Sequence, residues 1–232
     1  MTANILKADF DWDGQDVYIV GSGANAAPYM LIEPMQPYPD NLPLHATTIV
    51  CNKGILYRGQ VTFWLCATPA LPQCEWFRRF MANNSARVKA LQVPVIARSG
   101  TLLEAYPDIP YYFNDGPSLW SDANRDAATN SIRSVTKYFG CTKGLLRGGA
   151  SAVARGVQLA WFKKAKRCIL IGAEMKGRVA FDGTINETKQ NTMDDKEHWF
   201  ELPFFNELIG WVKERDMGVV SLTETALDVE VI

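Results

Sequence analysis

The sequence predicts an α/β fold: a single Rossmann-like, doubly wound and mostly parallel sheet flanked by helices. Short apolar runs rich in β-branched residues alternate along the chain with segments of helical periodicity. Most of these runs lead directly into glycine or small polar residues, as strands do before a turn. The first run, residues 17–20, is followed at once by Gly21 and Gly23. These observations favour parallel strands joined by helical crossovers.

Composition and length predict one globular domain over residues 1–232. Hydrophobic residues make up 47% of the chain and charged residues 21%, which is typical of globular proteins. The 24 basic and 25 acidic residues nearly cancel, so no overall field favours a nucleic-acid partner. Residues 1–10 lack the pattern of a signal peptide, and no run of eighteen apolar residues occurs. We therefore expect a soluble, cytoplasmic protein that is not transmembrane. A homo-oligomer is compatible with the sequence.

The first hundred residues contain four predicted strands. After a short lead-in over residues 1–15, these apolar runs are 17–20, 47–51, 61–66 and 93–97. A brief helix is predicted over 24–32, and aromatic residues at helical spacing predict another over 73–83. Four prolines between 33 and 44 predict an ordered loop. The order is therefore strand, short helix, two strands, helix, strand.

The second half begins with a segment whose structure the sequence does not predict, an irregular insertion or lid over residues 106–145. After it come a Gly-Gly turn, a helix with an apolar face and a strand over 168–171. A helix over 203–215 and a strand over 217–222 complete the pattern. The five cysteines show no paired spacing, and three lie in apolar runs, so we expect reduced, buried thiols.

The glycine turn after the first strand is the primary candidate site. Glycine lets a phosphate or sugar approach backbone N–H groups, so Gly21 and Gly23 predict a bound nucleotide. The alternative is a tight turn without a ligand. Ala26 replaces the third glycine of a dinucleotide fingerprint, and no acidic residue ends the second strand. These two departures disfavour a nicotinamide enzyme.

A group transfer from a bound nucleotide would need a cation near the phosphate and a base for the acceptor hydroxyl. Arg147 or Lys53 fits the first requirement. Histidine is the residue type best suited to the second, because its pKa lies near neutrality. The two histidines are His45, before the second strand, and His198, in a segment rich in charges and aromatic residues. His198 is the favoured base.

The order of motifs resembles the bacterial CMP-sialic-acid-dependent sialyltransferases and their 6-hydroxymethylpterin diphosphokinase-like relatives, over residues 16–225. The resemblance rests on GSGAN at 21–25, the strand-tip Asn52, RGGAS at 147–151 and GAE at 172–174. It implies an inverting, metal-independent transferase without a cofactor, with His198 near the position of the family's base. It also implies a nucleotide-sugar donor and a glycan acceptor.

The predicted nucleotide-binding residues lie at the ends of strands or in glycine turns. They are Gly21, Ser22, Gly23, Asn25, Asn52, Thr68, Arg147, Gly148, Gly149, Ser151, Gly172 and Glu174.

Two alternatives of other classes stay open. An ATP-dependent diphosphokinase would need Mg²⁺, which Glu174 and Asp182 could bind as carboxylate ligands, although no Walker-type phosphate loop occurs. A non-catalytic nucleotide-binding or assembly module fits the departures from the family pattern. Ala24 and Asn25 replace the family's Pro-Ser pair, and residues 176–193 contain no tyrosine to hold the leaving phosphate.

Overall fold

A computed structural model describes residues 2–66, 75–97, 111–113, 151–175, 179–184 and 201–232. These residues contain nine strands, each two to five residues long. The strands are β1 (Thr2–Asn4), β2 (Asp16–Val20), β3 (Thr47–Cys51), β4 (Phe63–Cys66), β5 (Val95–Ala97), β6 (Tyr111–Phe113), β7 (Arg167–Ile171), β8 (Gly218–Ser221) and β9 (Glu230–Val231).

All nine strands belong to one sheet, in the order β1-β6-β5-β4-β3-β2-β7-β8-β9, and every neighbouring pair is parallel. This confirms the predicted Rossmann-like α/β fold. The central strands are buried on both faces, which is why they are continuous apolar runs in the sequence. Three short strands were not predicted: β1 in the lead-in, β6 inside the segment expected to be irregular, and β9 near the C-terminus.

Helices cover both faces of the sheet. They are α1 (Glu75–Leu91), α2 (Ala152–Phe162) and α3 (Glu201–Lys213), with 3₁₀ turns over Ala24–Tyr29 and Asn52–Leu56. The first face packs α2 and α3 against inward residues such as Ile19 and Leu170. The other packs α1 and the two 3₁₀ turns against Val20 and Ile171. Neighbouring residues of each central strand therefore point into different cores, as the two-residue period of a strand requires.

Helix α1 continues beyond its predicted end. The polar residues Asn83 and Asn84 suggest an end near residue 83, but the helix runs to Leu91. Val88 extends the apolar face that Phe80 and Met81 begin, and all three are buried in the same core. Tertiary burial thus outweighs the low helix propensity of the asparagines.

The sheet changes winding direction at β2. From β2 the chain proceeds outward through β3, β4 and β5, whereas β7 returns to the opposite side of β2. In open α/β sheets, ligands bind in the crevice outside the carboxyl ends of the strands at such a reversal. This topology therefore predicts a ligand crevice where the turns after β2 and β7 meet.

The lead-in packs against the opposite end of the sheet. Lys163, at the end of α2, donates from Nζ to the carbonyl oxygen of Ala8 at 2.6 Å, and its ammonium lies 4.3 Å from the centre of the Phe10 ring. Burial lowers the pKa of Lys163, although Asp11 and Asp9 oppose this shift.

Among the described residues, we find no helix long and apolar enough to cross a membrane.

Candidate functional site

The turns that follow β2 and β7 are in direct contact. A Cβ atom at Gly21 would lie 2.4 Å from the carbonyl oxygen of Gly172, and one at Gly23 would lie 2.4 Å from Oε2 of Glu174. Both distances are too short for any side chain. The structure thus brings together Gly21, Gly23, Gly172 and Glu174, four of the predicted site residues, and the two turns need glycine to approach one another.

The backbone N–H groups of the glycine turn are already bonded within the chain. Gly21 donates to the carbonyl oxygen of Ile171 at 2.7 Å, which continues the ladder between β2 and β7, and Gly23 donates to that of Gly172 at 3.1 Å. The next two amides, Ala24 and Asn25, donate to the carboxylate of Glu174. The glycine turn was predicted to have bare amides, whereas in the structure this chain's own acceptors occupy them.

Glu174 is a buried carboxylate that acts as an internal anion for the turn. It is 8% exposed, and two adjacent N–H groups satisfy its oxygens. Charge-assisted hydrogen bonds of this kind are about twice as strong as neutral ones. Because the carboxylate is negative, it disfavours a phosphate at the Ala24 and Asn25 amides. A nucleotide in this crevice would therefore present its nucleoside or sugar, and not its phosphate, to this part of the turn.

Ser22 and Asn25 hold neighbouring segments over the turn. The carbonyl oxygen of Ser22 accepts a hydrogen bond from the amide of Phe181 at 3.1 Å, and Gly23 forms an isolated bridge with Ala180. Asn25 donates from Nδ2 to the carbonyl oxygen of Glu224 at 3.2 Å. Ala180 and Phe181 therefore hold residues 179–184 against the glycine turn.

Asn52 follows β3 with a left-handed backbone, at φ 51°. Its carbonyl oxygen accepts a hydrogen bond from the Trp64 indole at 2.8 Å, which fixes the residue at the strand end. Its side-chain Oδ1 is buried, and we find no hydrogen-bond partner for it among the described residues. Such an atom costs stability unless a ligand or water satisfies it. The predicted site residue Asn52 thus places a buried acceptor without a described partner at the end of β3.

Lys53 connects the end of β3 to residues 179–184. Its side chain is 8% exposed, and Nζ lies 2.9 Å from Oδ2 of Asp182. The ammonium also contacts the hydroxyl of Thr184, which donates to Asp182 in turn. Burial raises the pKa of the Asp182 carboxyl, but hydrogen bonds from Thr184 and Lys53 and the lysine charge outweigh it, so the pKa is lowered overall.

The hydroxyl of Ser151 caps the N-terminus of α2. Ser151 Oγ accepts from the amide of Ala154 at 3.4 Å. The cap also places Val153 beside Gly21: a Cβ at Gly21 would lie 3.2 Å from its Cγ2. The other predicted residues, Thr68, Arg147, Gly148, Gly149 and His198, lie outside the described residues, so their positions stay predictions.

His45 is exposed and precedes β3, at the amino end of the strands. The crevice lies at their carboxyl end, so the structure places this histidine away from the candidate site.

Two site features depend on contacts that the sequence does not reveal. The ion pair joins Lys53 to a residue 129 positions away. Thr223, after β8, accepts from the amide of Gly172 at 2.9 Å and so holds the turn after β7. From the sequence, Lys53 is a candidate phosphate partner, and Asp182 and Glu174 are candidate metal ligands. In the structure, each of these carboxylates binds hydrogen-bond donors of the chain.

Comparison with known protein families and with curated proteins finds no match. Among solved structures, the chain is similar to a variant of the sialyltransferase CST-II in complex with CMP. The identity is 11%, the match covers 90% of this chain and 81% of that one, and the TM-score is 0.51.

Two further similarities are weaker in TM-score. CST-II in complex with a trisaccharide acceptor and CMP matches at 11% identity and TM-score 0.49, over 90% of this chain and 81% of that one. The monofunctional α-2,3-sialyltransferase Cst-I from Campylobacter jejuni matches at 11% identity and TM-score 0.49, over 93% and 81%. The CST-II variant, at TM-score 0.51, carries the conclusion: this chain has a sialyltransferase-like fold.

Proposed function

We propose that this chain binds a nucleotide sugar in the crevice at the ends of β2, β3 and β7 and transfers its glycosyl group. The proposed donor is a CMP-sugar, and the transfer is inverting and independent of metal. Support comes from the sialyltransferase-like fold and from the crevice at the reversal of the sheet. Fold alone does not determine activity, so the proposal depends on the side chains in the crevice.

The observation that carries the proposal is the unpaired oxygen of Asn52. A buried acceptor without a partner costs about 1–3 kcal/mol, which a hydroxyl or amino group of a bound nucleoside would offset. The left-handed backbone of Asn52 and the Trp64 hydrogen bond fix this acceptor at the end of β3. It therefore selects a ligand that donates a hydrogen bond, as nucleosides and sugars do.

The transfer itself needs a base and a cation. We assign the base to His198, which would remove the proton of the acceptor hydroxyl as that oxygen attacks the sugar. Lys53 or Arg147 would balance the charge of the departing phosphate. The remaining predicted residues of the glycine turns would line the donor, and a glycan would be the acceptor.

The first experiment is a thermal-shift titration with CMP, CMP-sialic acid, UDP-sugars and ATP with magnesium, each also with EDTA. A ligand present at about one hundred times its Kd raises the free energy of unfolding by about 2.7 kcal/mol. We expect CMP and CMP-sialic acid to raise Tm equally with and without EDTA. A rise with ATP that requires magnesium would instead support the diphosphokinase, and no shift with any nucleotide would overturn the proposal.

The second experiment replaces Asn52 with glycine, which keeps the left-handed backbone and removes the amide. We expect the Kd for CMP to rise at least about tenfold, because each tenfold change corresponds to about 1.4 kcal/mol. Asn84→Ala is the matched control: Asn84 lies on α1, where its amide donates to Phe80, and we expect its Kd to be unchanged. Equal affinities in both variants would remove Asn52 from the site.

A second candidate function follows from the occupied amides of the glycine turn. Since carbonyls of the chain and the carboxylate of Glu174 bond these amides, the crevice also suits a non-catalytic nucleotide-binding or assembly module. The two candidates differ in turnover. A transferase releases CMP from CMP-sialic acid in the presence of a glycan acceptor and loses this activity in His198→Ala, whereas a module binds CMP without releasing product.

A further inference from the structure

The Lys53–Asp182 ion pair is the strongest feature of the crevice that the proposed function does not explain. The ammonium is buried beside the end of β3, whereas the side chain of Asp182 is 25% exposed. The pair joins two segments that both contact the glycine turn. A Cβ at Gly54, the residue after Lys53, would lie 2.8 Å from the carbonyl oxygen of Val20, and Phe181, the residue before Asp182, donates to Ser22.

A buried lysine needs a negative partner, because an unpaired buried charge is costly. Glu174 and Asp182 both carry carboxylates that accept hydrogen bonds beside the turn, and their partners differ. Glu174 is bonded to the Ala24 and Asn25 amides, while Asp182 is bonded to Lys53 and Thr184. Asp182 is the more exposed of the two, so its carboxylate can return to water at a smaller cost.

We propose that Lys53 is the anion-binding residue of this crevice and that Asp182 is an internal counter-ion, which the phosphate of a bound nucleotide displaces. The identification of the anion as a nucleotide phosphate rests on the proposed function. Glu174 already occupies the Ala24 and Asn25 amides and disfavours a phosphate there, whereas Lys53 is a buried cation on a segment that contacts the turn. Exchange of a carboxylate for a phosphate keeps the ammonium paired in both states.

The proposal predicts that Asp182 weakens anion binding. In Asp182→Asn the anion no longer competes with a carboxylate for Lys53. We expect the Kd for CMP to fall about twofold to fivefold, as is typical for one partly exposed ion pair. Lys53→Met keeps an unbranched side chain that is one atom shorter and removes the charge, and we expect its Kd to rise at least about tenfold. Asp182→Asn should have no effect in the Lys53→Met background, because the coupling needs both charges.

Asp16→Asn is the matched control. Asp16 pairs with Arg167, and its side chain is 32% exposed, close to the value for Asp182. Both residues begin their strands, at the end of the sheet opposite the crevice. This variant therefore carries the same chemical change and the same loss of one ion pair, and we expect its Kd for CMP to equal that of the wild type.

The experiment measures calorimetric binding of CMP and of inorganic pyrophosphate to the wild type and to these variants. If Asp182→Asn tightens both ligands and Lys53→Met weakens both, the proposal is supported. If Asp182→Asn binds pyrophosphate more tightly than the wild type does while no variant binds CMP, Lys53 is an anion site and the proposed nucleotide function fails. If the wild type binds CMP and Asp182→Asn leaves both affinities unchanged or weaker, the counter-ion is refuted and the proposed function stands. If no variant binds either ligand, both proposals are overturned.

Discussion

Replacement of Gly21 with alanine tests whether the glycine turn serves the packing of the chain. The added Cβ would lie 2.4 Å from the carbonyl oxygen of Gly172, whereas ordinary contact begins at 3.4 Å, so the turns after β2 and β7 must separate by about 1 Å. The hydrogen bond from Gly21 to Ile171, 2.7 Å long, opposes that separation. We expect the free energy of unfolding to fall by about 3 kcal/mol, near the upper end of overpacking effects.

Gly210→Ala is the control with the same chemical change. Gly210 lies on the exposed side of α3, and a Cβ there would meet nothing within 4 Å. Alanine favours the helix by about 1 kcal/mol over glycine, so we expect this variant to be more stable than the wild type. The two substitutions should therefore differ by about 4 kcal/mol, with opposite signs.

Urea unfolding followed by circular dichroism measures both variants. The midpoint should fall for Gly21→Ala and rise for Gly210→Ala with the same slope m, since neither change alters the surface exposed on unfolding. For a domain of this length, Tm should fall by about 6–12 °C in the first variant and rise by about 2–4 °C in the second. If Gly21→Ala were as stable as the wild type, the close approach of the two turns would be refuted. Ligand binding would then be the remaining reason for a glycine at position 21.

Three further predictions concern the two carboxylates beside the glycine turn and the cysteine thiols. Glu174→Gln should lower the free energy of unfolding by about 1–3 kcal/mol in urea, since the amide replaces a charged acceptor of two backbone N–H groups; an unchanged midpoint would contradict this role. Asp182 has a lowered pKa in the fold, so its stabilisation is present above about pH 4, the unfolded value, and is lost as pH falls through the folded value. Asp182→Asn should therefore be less stable than the wild type at pH 7 and converge with it in acid; parallel pH profiles would count against this. Burial raises the pKa of three thiols, those of Cys51, Cys66 and Cys168. Alkylation at pH 8 followed by peptide mapping should therefore leave them unmodified until the chain unfolds.

The central strands could be predicted from the sequence because their burial produces a pattern within a few neighbouring residues. β2, β3, β4 and β7 are covered by helices on both faces, so each is an uninterrupted apolar run that a reader of the sequence can find. The short edge strand β1 has the sequence TAN, which has no such pattern. It is a strand because β6 pairs with it, and β6 in turn pairs with β5. Pairing of this kind depends on neighbours in space, which local propensity does not encode.

Several residues of the predicted site lie close together in the structure, but the partners of their charged groups differ from those expected. Gly21, Asn52 and Gly172 follow strands whose carboxyl ends meet, so their proximity follows from the parallel sheet. The partners of the charged residues do not follow from it. Glu174 was expected at the site as a ligand for a nucleotide or a metal, and the structure bonds it to amides 149 and 150 positions away. Contacts between residues so far apart along the chain cannot be predicted from a local sequence pattern.

By itself, the sequence determined the alternation of strands and helices, the burial of the central strands and the glycine turn after β2, because hydrophobic periodicity and the conformational freedom of glycine act over a few residues. Only the tertiary structure decided that β7 returns beside β2, that Glu174 occupies the turn amides and that Asp182 pairs with Lys53. These contacts join residues more than one hundred positions apart, and the folded sheet alone brings them within hydrogen-bond distance.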